Sequence, residues 1–180
     1  MSNKKSYSQV GQDLFVLSLF PEGYKGTFLD FGCQEPKKIN NTLLLEEHGW
    51  DGFSLDIVDY SEQWETRDTY FICMDVLKES LSWLKASEPY DYISLDISPY
   101  GGARFELLKR IIDLGIDFKV LTIEHDAYIE GNDELERKPQ RELLNSLGYV
   151  MTHGDVSCGG NPFEDWWINP KYIDYEKIRF

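Results

Sequence analysis

The chain has 180 residues, 42% hydrophobic and 14% aromatic, a composition that suits one globular domain and excludes a disordered chain. No apolar run reaches the ~20 residues of a membrane span. With 32 acidic against 18 basic residues the net charge is −14, a surface that repels phosphate backbones and anionic lipid and so speaks against nucleic acid or membrane as a partner.

In chain order, residues 7–20 carry Val10, Leu14, Leu17 and Phe20 near helical spacing, with Ser8 as N-cap. They predict an N-terminal helix packed on the core. "GTFLDF" (26–31) predicts a short buried strand. "NNTLLLEEHGW" (40–50) predicts a helix capped by Asn40 or Asn41 and stopped at Gly49. Strands follow at 52–58 and 69–76. Leu77, Leu81 and Leu84 then predict a helix over 76–87, before a strand at 90–98. Residues 104–115 read as an amphipathic helix, 118–125 as a fifth strand, and 134–148 as a helix limited at its start by Pro139. Segments 149–156 and 165–170 form a closing strand pair. There Trp166 and Trp167 point to opposite faces, one into the core and the other toward a substrate pocket or dimer contact. Short apolar strands alternating with helices predict an α/β fold with a doubly wound, mostly parallel sheet, and no linker divides residues 1–180.

Cys33, Cys73 and Cys158 are odd in number and make no CxxC pair, which argues against a disulfide framework or zinc ribbon. "MSNKKSYSQVGQD" lacks a secretory apolar region, so a cytoplasmic location is expected.

The chemistry is signalled by where the acids fall. Asp30, Asp56, Asp75, Asp96 and Glu124 each follow an apolar run, at the ends of five successive predicted strands. Ligands of open α/β sheets bind at the carboxyl ends of strands, near the topological switch point. Asp56 follows Gly32 by 24 residues, close to the spacing from a glycine turn to an acid that holds ribose hydroxyls. Each acid also has a plain alternative as a helix N-cap. "GTFLDFGCQEP" (26–36) lacks the later glycines of a dinucleotide fingerprint, which disfavours a pyrophosphate. A phosphate-free cofactor, S-adenosylmethionine, suits a single-glycine turn better.

These residues resemble a known family. "SQVGQD" (8–13), "GTFLDFGCQEP" (26–36), "NNT" (40–42), "EEHGWDGFSLD" (46–56), "YDYISLDI" (90–97), "LTIEH" (121–125) and "LLNSLGY" (143–149) are similar, in the same order, to motifs of FkbM-type methyltransferases. The resemblance spans roughly residues 7 to 170 and implies a Rossmann-like class I methyltransferase fold using S-adenosylmethionine. It implies that Asp30 and Gly32 form the first cofactor motif, with Cys33 where a small residue is usual. Asn41 and Thr42 match the family's Asn-Thr, and Asp56 would hold the ribose. Asp75 and Val76 would border the adenine, and Asp96 would lie near the methionine end and reacting centre. The departures lie on the substrate side. Asp96-Ile97-Ser98-Pro99-Tyr100-Gly101-Gly102 replaces Asp-x-Glu-Gly, and Glu124-His125-Asp126 replaces Glu-Tyr-Asn.

His125 is the leading candidate base, since its ordinary pKa suits proton abstraction near neutrality; its alternative is a loop hydrogen bond. Asp96 and Glu124 are the other candidate catalytic residues. Asp96, Glu124, His125 and Asp126 could also gather a divalent ion, although capping or substrate contact explains these acids as well and no metal is expected. His48 reads as a helix C-terminal contact, His153 as structural, and Cys33 as a packing thiol rather than a nucleophile. Gln9, Gln12 and Asp13 are placed to fold over the site. The expected function is S-adenosylmethionine-dependent methylation, directed to oxygen of a small molecule or sugar. A non-catalytic binding or assembly module on the same fold and a nucleotide-dependent dehydrogenase are the competing readings.

Overall fold

The computed structural model describes residues 5–98 and 101–174. Pro99 and Tyr100, part of the departing loop after the fourth strand, lie outside the described residues. The strands are β1 (Thr27–Phe31), β2 (Asp51–Asp56), β3 (Tyr70–Cys73), β4 (Tyr90–Leu95), β5 (Phe118–Glu124), β6 (Val150–Cys158) and β7 (Asn161–Ile168). They form one sheet in the order β3-β2-β1-β4-β5-β7-β6. β1 to β5 pair in parallel, while β7 runs antiparallel to both β5 and β6. This is the predicted doubly wound sheet, with its closing antiparallel pair.

The inner strands read as near-continuous apolar runs because both faces are covered. Alternation along each strand divides the side chains between two cores. Leu29, Ile93, Leu121 and Trp167 face one, with Leu107, Leu108 and Ile111 of α4 (Ala103–Asp113) and Leu144 of α5 (Lys138–Ser146). Phe28, Tyr92, Val120 and Trp166 face the other, with Phe15 and Val16 of α1 (Gln12–Ser18) and Leu45 of α2 (Leu43–Glu47). Both tryptophans are therefore core: Trp166 stacks on Phe15 at 4.6 Å, and neither is left for a dimer contact.

Several elements differ from expectation. α1 begins at Gln12 rather than near residue 7, after the left-handed Gly11, and Ser8 Oγ accepts the Gly11 N–H at 3.1 Å instead of capping a longer helix. Asn40 Oδ1 accepts the N–H groups of Thr42 and Leu43, so it organises the start of α2 from three residues upstream. Residues 76–87 hold only a 3-10 turn at Ser82–Leu84. Leu81 and Leu84 are buried as their spacing requires, but the Asp75 and Ser80 side chains bind the N–H groups of Leu77 and Ser82 and compete with a helical ladder. A short helix, α3 (Ser61–Trp64), follows β2 without a periodic signal. Residues 134–148 divide at Pro139: a π-helical turn, Asp133–Arg137, precedes α5.

Candidate functional site

β1 and β4 are neighbours, and the connections after them leave on opposite sides, so the switch point lies at their carboxyl ends. Gly32 sits there. Its φ is +83°, and a Cβ on it would stand 1.7 Å from the Asp96 carbonyl oxygen. The glycine is demanded by the close approach of the two chain segments. Gly32 N–H in turn donates to Leu55 O, and Asp96 N–H donates to Phe31 O.

The loop that follows is held open by a buried scaffold. Gln34 has φ 50°, a strained left-handed conformation for a residue with a side chain. Its N–H donates to Asp56 Oδ2 at 3.0 Å, and its carbonyl accepts the Trp64 indole N–H at 2.9 Å. Arg67 donates to Glu46, Pro36 O, Asn40 Oδ1 and Thr42 Oγ1, tying both ends of the loop to one guanidinium. Trp64 and Arg67 went unnoticed in the sequence because neither belongs to a strand end or a glycine turn. Pro36 is buried and contributes only its carbonyl.

Three lobes open at this rim. The first, about 220 Å³, lies between Asp56, Ile57 and Val58 on one side and Met74, Asp75 and Val76 on the other. Ile57 is 63% exposed and Val58 51%, two aliphatic side chains presented beside a carboxylate. Asp56 Oδ1 and Oδ2 accept the N–H groups of Val58 and Gln34, which fixes the carboxylate at the lobe's edge. Arg110 of α4 pins the opposite wall by donating to Val76 O and Glu79 O. No lysine, arginine or histidine is among the described residues that line this lobe. The second lobe, about 180 Å³, lies over the Gly32–Glu35 turn and is bordered by Gln9, Lys38 and Asn41. The third, about 380 Å³, runs from Asp96 and Gln34 to Arg104, Glu124, Asp126 and the β6–β7 hairpin tip. Asp96 borders all three.

Among the predicted cofactor residues, Gly32, Asp56, Asp75, Val76 and Asp96 line the first lobe. Gly32 and Asp96 also border the second, with Asp30, Cys33 and Asn41. Asp30 is buried, and burial lifts its carboxyl to about 6 against hydrogen bonds from Ser94 and Thr42. Thr42 is fully buried and donates to Asp30, one step behind the lobe. Burial pushes the Cys33 thiol well up, as suits a packing group. Gln12 donates to the buried Glu164 at 2.6 Å, while Asp13 binds Ser6, Tyr7 and Ser8.

Glu124, Asp126 and Asp96 surround one cation. Arg104 Nη2 lies 2.9 Å from Glu124, 2.8 Å from Asp126 and 4.0 Å from Asp96. The guanidinium thus fills the centre of the acid cluster considered for a metal. Burial, followed by the neighbouring Asp96 charge, pushes Glu124 up to about 11; burial raises Asp96 too, and the two carboxyl groups titrate as a pair.

His125 is elsewhere. Its ring is fully buried and lines none of the three lobes. Nδ1 faces the Ala127 N–H at 3.1 Å, and Nε2 lies 3.5 Å from Asp165 and 3.7 Å from Asp155. Those three residues are the one group with metal-ligand spacing among the described residues. Arg141 already binds both carboxylates. Burial would raise Asp165, but hydrogen bonds from Arg141 and His125 prevail and hold it down at about 2. The histidine expected to act as base is therefore a strut between β5 and β7.

No family model matches the sequence, and no curated protein matches it closely enough to count as a relative. Solved structures do match. A Clostridium thermocellum protein assigned as an rRNA methylase aligns at TM-score 0.61 and 14% identity, over 92% of this chain and 99% of that one. The Burkholderia thailandensis 1,6-didemethyltoxoflavin-N1-methyltransferase, solved with 1,6-didemethyltoxoflavin and S-adenosylhomocysteine, aligns at 0.57 and 14%, over 89% and 77%. A ribosomal protein L11 methylase from Lactobacillus delbrueckii subsp. bulgaricus aligns at 0.54 and 13%, over 92% and 80%. At these identities the likeness establishes the fold, a Rossmann-like class I methyltransferase fold.

Proposed function

We propose that the protein is an S-adenosylmethionine-dependent methyltransferase acting on oxygen of a small molecule or sugar. The observation that carries this is the first lobe. It offers a fixed carboxylate, two exposed aliphatic side chains and, among the described lining residues, no cation, at the switch point of the sheet. A pyrophosphate would meet Asp56, Asp75 and Asp96 with no lysine, arginine or histidine among the described lining residues, whereas a ribose diol and an adenine are suited to these groups. In this reading Asp56 holds the ribose hydroxyls. Ile57, Val58 and Val76 sandwich the base, with Asp75 at its edge. The amino-acid tail lies over Gly32 and Cys33, with Asn41 beside it and the cationic Lys38 available to its carboxylate. Asp30 and Thr42 support that turn from behind.

When bound between Asp56 and the Gly32 turn, the cofactor would supply an activated methyl group on a sulfonium leaving group. The acceptor's proton needs a base. Asp96 borders all three lobes and is the carboxylate placed for that role, with Glu124 beside it on the same guanidinium, Arg104. His125 is assigned no proton transfer. The ordered motifs support the FkbM-type family as the finer placement.

The test is calorimetry with S-adenosylhomocysteine against the wild type and Asp56→Ala, with NADH as comparison. Micromolar binding that weakens at least 10-fold in the variant is expected. Absence of binding at millimolar ligand, or preference for NADH, would refute the reading.

A further inference from the structure

The third lobe has a charge balance that bears on its occupant. Its walls carry Asp96, Glu124 and Asp126 against a single cation among the described lining residues, Arg104. That cation is buried and already faces acids. Its Nη2 lies within 3 Å of both Glu124 and Asp126, and its backbone N–H faces the buried Glu136 carboxylate at 3.3 Å. The neighbouring arginines face acids too: Arg137 and Arg141 pair with Asp133, Asp155 and Asp165. Lys38 borders the second lobe rather than this one. Three carboxyl groups thus face one guanidinium among the described lining residues, so the lobe carries more acid than base even with one proton shared between Asp96 and Glu124. Gln9, Gln34, Ser98 and Asn161 add neutral hydrogen-bonding groups, and Tyr128, Cys158 and Phe163 complete the described lining.

We infer that the acceptor is a hydrophilic small molecule with no negative charge, recognised through neutral amide and hydroxyl contacts and through Asp96, with Arg104 serving as an internal counter-ion and not as an anion anchor. The inference rests on the methyltransferase reading for the name "acceptor", but the charge preference belongs to the lobe itself. An anionic group about 6 Å from one uncompensated carboxylate, at the effective dielectric of a protein cleft, binds about 100-fold more weakly than its neutral counterpart.

The experiment is ligand-observed saturation-transfer NMR on protein loaded with S-adenosylhomocysteine. The probes are hydrophilic fragments in cationic, neutral and anionic sets matched in size and polarity. Binding from the cationic and neutral sets, with anionic members weaker by about 100-fold, is expected. Equal or tighter anionic binding overturns the inference, and so does silence from all three sets. In a Glu124→Gln/Asp126→Asn variant, whose fold is checked by its thermal midpoint, the guanidinium loses the two acids within 3 Å of it. Anionic fragments should then gain at least 10-fold; an unchanged preference also overturns the inference. Failure to bind S-adenosylhomocysteine would refute the cofactor reading alone, because the same screen reads the preference on unloaded protein.

Discussion

Gly32→Ala asks whether the turn after β1 is fixed by the packing of the chain on itself. The added Cβ would lie 1.7 Å from the Asp96 carbonyl oxygen and 2.6 Å from its carbon, on a backbone at φ +83°. A side chain in the left-handed region costs roughly 1–2 kcal/mol, and forcing atoms into a packed site adds roughly 1–3 kcal/mol. The two together come to about 2–5 kcal/mol, a large part of the ~5–15 kcal/mol that holds a typical domain. For a chain of this size, roughly 2–4 °C per kcal/mol gives a melting temperature lower by about 4–20 °C. Relief requires the β1 and β4 ends to separate, and Asp96 borders every lobe. Affinity for S-adenosylhomocysteine should therefore fall at least 10-fold as well. Scanning fluorimetry and calorimetry read the two effects. A shift below about 2 °C with unchanged affinity would refute the packing argument.

Arg67→Ala removes a buried guanidinium that serves four acceptors and should cost about 3 kcal/mol in a urea titration. Arg67→Lys should recover less than half, since one ammonium cannot reproduce the fork. Burial pushes Glu164 up to about 8 from an ordinary 4.5, against the hydrogen bond from Gln12. The folded state thus holds a proton that the unfolded chain releases. The resulting stability is fully present below about pH 4.5 and is lost as pH rises through about 8. Glu164→Gln should flatten that decline, and denaturation midpoints at several pH values that still fall as steeply would contradict it. Glu136 accepts the N–H groups of Gly102, Arg104 and Phe105 at the start of α4. Glu136→Gln should cost about 1–3 kcal/mol and speed hydrogen exchange at those amides; exchange unchanged there would count against it.

The sheet was legible because its central strands are buried on both faces and so appear as uninterrupted apolar runs bounded by acids and glycines. The rim acids were legible for the same reason, since Asp56 and Asp96 terminate those runs. What stayed hidden depends on partners far away in the chain. Arg67 and Trp64 lie in a segment with no periodicity, and their value comes from meeting a loop 25 to 31 residues earlier. His125 looked catalytic because a strand end puts a residue near the rim. The direction of its side chain depends on Asp165, 40 residues on, and on the arginines that hold that acid. Leu77, Leu81 and Leu84 had the spacing of a helix, yet serine and aspartate side chains captured the N–H groups a helix would need. Periodicity reports which side chains are buried; it does not report where the backbone hydrogen bonds go.

The position of β7 has a consequence for how the molecule is made. β7 lies between β5 and β6 although it follows both in the chain, and β6 pairs with no other described strand. A ribosome therefore releases the residues of the first two lobes, all before residue 99, long before the strand that seals the sheet. Until residues 161–168 emerge, β5 has an open edge and the slot for Trp167 stands empty in the core. A nascent chain with five strands has an unpaired edge of the kind that recruits other chains. That edge is covered by the last hairpin to emerge and not by any of the early strands.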